Sequence, residues 1–94
     1  MPASAREKAR KYEMMLSQGL EAAAVAPREE TPLARIGANQ LEMAEAYLAD
    51  GRTFIDAGDW ANALAAFSYG HGWLDAGVRA GTLTIDGNED VFAI

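Results

Sequence analysis

The residues best able to do chemistry stand in one run, DWANALAAFSYGHGWLDAGVRAG, from Asp59 to Gly81. Ser68, His71 and Asp75 follow one another at spacings of three and four, with Tyr69 and Trp73 between them. A serine, a histidine and a carboxylate suggest a nucleophile, its base and the group that orients the base. On a helix, however, those spacings set the three side chains next to one another on adjacent faces. Catalytic triads converge on one reacting atom from separate elements, with an oxyanion hole close by. The spacing therefore favours a helix-edge histidine bonded to Asp75 or to a backbone carbonyl. For a metal, His71 and Asp75 supply two ligands, and Gln40, Glu42 or Glu45 of a neighbouring helix would have to complete the set. The chain has one histidine and no cysteine, and neither H-E-x-x-H nor E-x-x-H occurs. No catalytic, cofactor-binding or metal-binding residue is assigned on these grounds; Ser68, His71 and Asp75 form the candidate polar site if there is one. Asp50 is expected to meet Ser68 or to cap a local network.

Three helices are expected to position these residues. Ser4 and Glu7 form the S-x-x-E pattern of a capping box, and Ala5, Ala9, Tyr12, Leu16, Gly19, Leu20 and Ala23 follow at helical spacing, which predicts a helix from about residue 5 to about residue 24. Pro27 and a patch of charge interrupt it. Thr31 and Pro32 then read as an N-cap and first helical residue. Leu33, Ile36, Met43, Ala44, Tyr47, Gly51 and Phe54 line one face of a second helix, which stops at Gly58. Asp59 caps a third helix at once, so the second and third must form an antiparallel hairpin. The third runs to about Ala80. The tail from Thr82 carries a D-G-N turn signal and no second strand to pair with, and reads as an irregular segment whose Leu83, Ile85 and Phe92 fold back on the helices.

At 100° per residue, Trp60, Ala63, Leu64, Phe67, Gly70, His71, Leu74, Gly77, Val78 and Gly81 share the core face of the third helix. Positions equidistant from the turn meet in a hairpin, so Gly70 should lie opposite Tyr47 and Gly51 opposite Phe67. The glycines are thus read as sites of close helix approach. A phosphate cradle would need them ahead of a helix N-terminus, not inside a helix. The other side of the helix is unexpectedly apolar: Ala65, Ala66, Tyr69, Trp73, Ala76 and Ala80 cluster there. Ala66, Tyr69, Trp73 and Ala80 form the candidate interaction surface, to be covered either by the tail or by a second chain.

Composition bounds the remaining possibilities. A chain of 94 residues, half of them hydrophobic, suits one domain spanning 1–94. The absence of cysteine excludes disulfides and thiolate metal sites and fits a cytoplasmic protein. No signal-peptide block and no membrane-length apolar stretch occurs. The net charge of −6 disfavours nucleic acid or an anionic membrane as the main partner. The basic cluster Arg6, Lys8, Arg10 and Lys11 reads as a solvated first stretch of helix.

Two resemblances rest on these residues. Tyr47, Gly51, Phe54, Gly58, Asp59, Ala63 and Phe67 resemble the packing positions of a single tetratricopeptide-repeat hairpin, although arrays of that repeat need about three copies. Over nearly the whole chain the sequence resembles the short archaeal proteins of domain of unknown function family 357, whose FSYxxGWLDAGVR signature stands here as Phe67 to Arg79. That resemblance implies an archaeal source and an all-α fold, a small three-helix, left-handed up-and-down bundle, and it implies no activity. The expected function is a non-enzymatic interaction module, self-associating as a homodimer or binding a protein partner. The alternatives are a small-molecule or metal-dependent enzyme using Tyr69, His71, Trp73 and Asp75, and a nucleic-acid accessory protein using the basic start of the first helix.

Overall fold

A computed structural model of the chain describes residues 4–85. Three helices carry the fold: α1 (Ala5–Ala22), α2 (Pro32–Asp56) and α3 (Trp60–Ala80). Each begins on the side-chain cap that its sequence provides. Ser4 Oγ accepts from the Glu7 amide at 3.1 Å, Thr31 Oγ1 from the Ala34 amide at 3.1 Å, and Asp59 Oδ1 from the Asn62 amide at 3.1 Å. The ends are equally local. Gly58 and Gly81 take positive φ, 75° and 82°, which a residue with Cβ adopts only with strain. At both ends paired amide-to-carbonyl bonds close the last turn, Asp59 to Phe54 and Gly58 to Ile55 after α2, and Thr82 to Gly77 and Gly81 to Val78 after α3.

The α2–α3 hairpin has the register that the three-residue connection Ala57 to Asp59 demands. A Cβ placed on Gly70 would lie 3.1 Å from Tyr47 Cβ, 3.3 Å from the Ala44 carbonyl oxygen and 2.6 Å from Leu16 Cδ2. One placed on Gly51 would lie 2.6 Å from Phe67 Cδ1. Each large side chain occupies the space a Cβ would have taken, and Phe67, Leu16 and Leu74 are the largest side chains fully buried. α1 runs parallel to α3: Leu16 reaches Gly70, and near the other end the guanidinium carbons of Arg6 and Arg10 sit 5.3 Å from the ring centre of Trp60. Glu13 of α1 accepts from Arg52 of α2 at 3.0 Å. The three helices therefore run up, down and up, with α3 in contact with both of the others.

The segments after α1 and α3 differ from expectation. Helix α1 ends at Ala22, and Ala23–Val25 forms a short strand, β1, which pairs antiparallel with β2 (Leu83–Ile85). The start of the tail is thus a paired strand and not irregular. Its partner was hidden in what reads as the last turn of the first helix, because Ala-Ala-Val suits either structure. Leu83 is buried against Gly77, and the Thr82 carbonyl accepts from Ala26 at 2.9 Å. That carbonyl also comes within 2.6 Å of where a Cβ on Gly37 would stand. The strand pair covers the Gly37–Gln40 side of α2, which leaves Leu33 and Ile36 exposed and not in the core as their spacing suggested. The expected fold-back of Phe92 and the D-G-N turn lie outside the described residues.

Replacing Gly70 with leucine pits a new side chain against Leu16, Tyr47 and a backbone carbonyl at once. Gly70→Leu should lower stability by about 1–3 kcal/mol in urea unfolding. An unchanged midpoint would contradict the close approach of the three helices here.

Candidate functional site

The polar residues of α3 are each committed to the helix or to the interior. Ser68 is exposed, and its hydroxyl donates to the Leu64 carbonyl at 2.8 Å, one turn back. It does not serve Asp50, as the sequence suggested; Asp50 is exposed on α2, in a groove with Tyr47, Phe54, Asn62 and Tyr69. Asp75 accepts from Arg79 Nε at 3.0 Å. His71 is buried, and desolvation pushes its pKa below the usual 6.5 against the opposing pull of the Asp75 carboxylate. Gln40, a conceivable metal ligand from α2, accepts instead from Thr82 Oγ1 at 2.5 Å in the interior. Among the described residues, no three His, Cys, Asp or Glu side chains gather as a metal site.

Tyr69, His71, Trp73 and Asp75 do not converge either. Successive members are two residues apart, about 200° on a helix, so Tyr69 and Trp73 face one way and His71 and Asp75 nearly the other. Solvent exposure separates the two best-divided members. Tyr69 is 65 % exposed, while His71 is 7 % exposed.

The outer side of α3 is the surface that stands out. The Tyr69 ring leans on that of Tyr47, with centroids 5.6 Å apart and planes tilted by 31°. Shallow grooves flank it, one floored by Gly72, Trp73 and Ala76 and the other by Ala65, Asn62 and Asp50. Of the four residues expected on this surface, Tyr69 and Ala80 are exposed and Trp73 is half-buried against the core. Ala66 departs from the expectation: it is 6 % exposed, at the base of the groove it shares with Tyr47, Phe54 and Tyr69, and offers almost no surface. Gly72 went unremarked as a surface residue. It is exposed, and a Cβ there would meet nothing within 4 Å, so its lack of a side chain is not explained by packing within the chain. The regular contrast with Gly70, two positions earlier on the core side, was the signal available in the sequence.

The basic start of α1 has a structural use. Arg6 and Arg10 stack on Trp60, and Arg10 also pairs with Glu13 at 3.0 Å, while Lys8 and Lys11 are exposed. Such stacking contributes about 0.5–1 kcal/mol at exposed sites.

Burial of a neutral His71 has a pH consequence. The unfolded chain takes up a proton at His71 near pH 6.5, whereas the folded chain does so only at lower pH. This contribution to stability is complete above pH 6.5 and is lost as the pH falls through the folded value. Urea midpoints should therefore drop between about pH 7 and about pH 5.5, a window above the ordinary carboxylate range. His71→Gln should lack that drop; an equal drop in the variant would assign it to other groups.

Comparison with known proteins finds a family but no described relative. No curated protein and no solved structure matches the chain. No described helix is long and apolar enough to cross a membrane. The model of the family described as protein of unknown function DUF357 matches residues 11–83, from the first helix through the start of the second strand and including the whole outer face of α3, and the chain belongs to that family.

Proposed function

We propose that this protein is a non-enzymatic interaction module that engages another protein surface through the outer face of α3. The observation that carries this is Tyr69, an aromatic side chain 65 % exposed and neighboured along the helix by exposed Ala65, Gly72 and Ala76. A face that only meets water ordinarily bears charged side chains, and here none interrupts the outer line between Ala65 and Ala76. Tyrosine suits such a role because its ring offers a large contact area at little cost in rotamer freedom and its hydroxyl can find a polar partner. The polar groups of α3 support the same conclusion, since Ser68 and Asp75 bond within the helix and His71 is buried, so they do not line a shared pocket. The acidic balance and the lack of cysteine support a cytoplasmic setting for such a module.

A photo-crosslinking amino acid at Ala65, introduced in the native cells, tests this. Illumination should shift the chain by the mass of a protein, its own or another, and Tyr69→Glu should reduce the shifted fraction several-fold. Recovery of unshifted chain alone would overturn the proposal.

A further inference from the structure

The outer face of α3 carries a second, regular seam. Asn62, Ala65, Tyr69, Gly72, Ala76 and Arg79 follow at alternating spacings of three and four, and all six are exposed. This is the spacing of a helix–helix seam, on the side opposite Ala63, Phe67, Gly70 and Leu74 of the core. We infer that the occupant of this seam is a second copy of the same chain, its α3 packed antiparallel across a two-fold axis so that Tyr69 of each copy enters the gap left by Gly72 of the other. The inference rests on the proposed interaction role of this face and names its partner.

Size and charge both select this pairing. In the antiparallel register centred between Tyr69 and Gly72, the largest side chain of the seam meets the one residue with none, Ala65 meets Ala76, and Asn62 meets Arg79. Gly72 has open space around it within its own chain, so the gap is available to a ring from outside. Small residues at Ala65, Gly72 and Ala76 permit helix axes to approach to about 8 Å, the short end of the usual range. One end of the seam is acidic, and the other presents a guanidinium. At one end Asn62 is bonded to Asp59 at 2.6 Å and shares its groove with Asp50. At the other end stands Arg79, whose side chain is 77 % exposed even while paired with Asp75. An antiparallel pair brings each arginine, with donors to spare, to the acidic end of its neighbour. A parallel pair would set acid on acid, arginine on arginine and Tyr69 on Tyr69. A two-fold axis uses the same patch twice and closes the assembly at two copies.

The test uses the purified full chain, which has no cysteine of its own. Light scattering across a range of concentrations should give the mass of two chains. Gly72→Leu fills the gap that receives Tyr69 from a position where a Cβ meets nothing of its own chain within 4 Å, and should remain as helical as the parent by circular dichroism while weakening dimerisation about tenfold or more. Ala65→Cys and Ala76→Cys variants, mixed and oxidised, should give a disulfide-linked dimer that neither forms alone, because like positions would be separated by roughly 16 Å along the antiparallel axis. Crosslinking within either variant alone, or a Gly72→Leu dimer as tight as the parent, would overturn the register. A parent monomeric at every concentration would overturn the second copy as occupant. If such a monomer still crosslinks to another protein from Ala65 in cells, the interaction role stands without the dimer; if it does not, both fail.

Discussion

The close approach of α2 and α3 is the constraint on which the rest of this structure depends. Two helices normally hold each other apart by the side chains between them, yet here three glycines remove that spacing at intervals along the hairpin. Phe67 fills the notch at Gly51, Tyr47 and Leu16 close on Gly70, and Leu83 with Gln40 closes on Gly77. A fully buried phenylalanine is worth roughly 1.5–3 kcal/mol only while a cavity of its shape exists. The turn at Gly58 and Asp59 sets the register in which the notches and rings coincide. A slip of one position would bring Phe67 against a side chain and leave Gly51 facing nothing.

Once that hairpin is in place, the remaining elements have few positions open to them. Leu16 reaches the same notch at Gly70 as Tyr47, so at this level α1 and α2 both close on α3. Arg6 and Arg10 hold the start of α1 over Trp60, and Glu13 ties it to Arg52. At the far end β1 and β2 join the chain leaving α1 to the chain leaving α3. The buried Thr82 hydroxyl lies at that junction within reach of Gln40 Oε1 and of the Gly77 carbonyl, so polar groups placed in the interior there are satisfied.

The proposed interaction face follows from the same geometry. Helix α3 touches both other helices and yields one side to them, burying Ala63, Ala66, Phe67, Gly70, His71, Leu74 and Gly77. Its opposite side is left outside the bundle, and on that side the sequence is nearly as apolar as in the core. Of the residues that invited a catalytic interpretation, His71 falls within the buried arc, while Tyr69 stands with Gly72 in the middle of the outer one. Under the proposed reading, what α3 offers to other molecules is a line of small residues around one ring, a shape suited to a packed surface.

Much of this was legible in the chain itself because the signals are local. Ser4, Thr31 and Asp59 start the helices, Gly58 and Gly81 end two of them, and a three-residue connection leaves α2 and α3 no arrangement but antiparallel. Even the pairs Gly51 with Phe67 and Gly70 with Tyr47 follow by counting outward from that turn. The β1–β2 pairing was not legible, since it joins residues about sixty positions apart and Ala23–Val25 fits a helix as readily as a strand. Nor was the exposure of Leu33 and Ile36, or the burial of Ala66. Periodicity orders the residues around a helix, but how wide an arc is buried depends on where the neighbouring elements come to rest, and only the tertiary structure decides that.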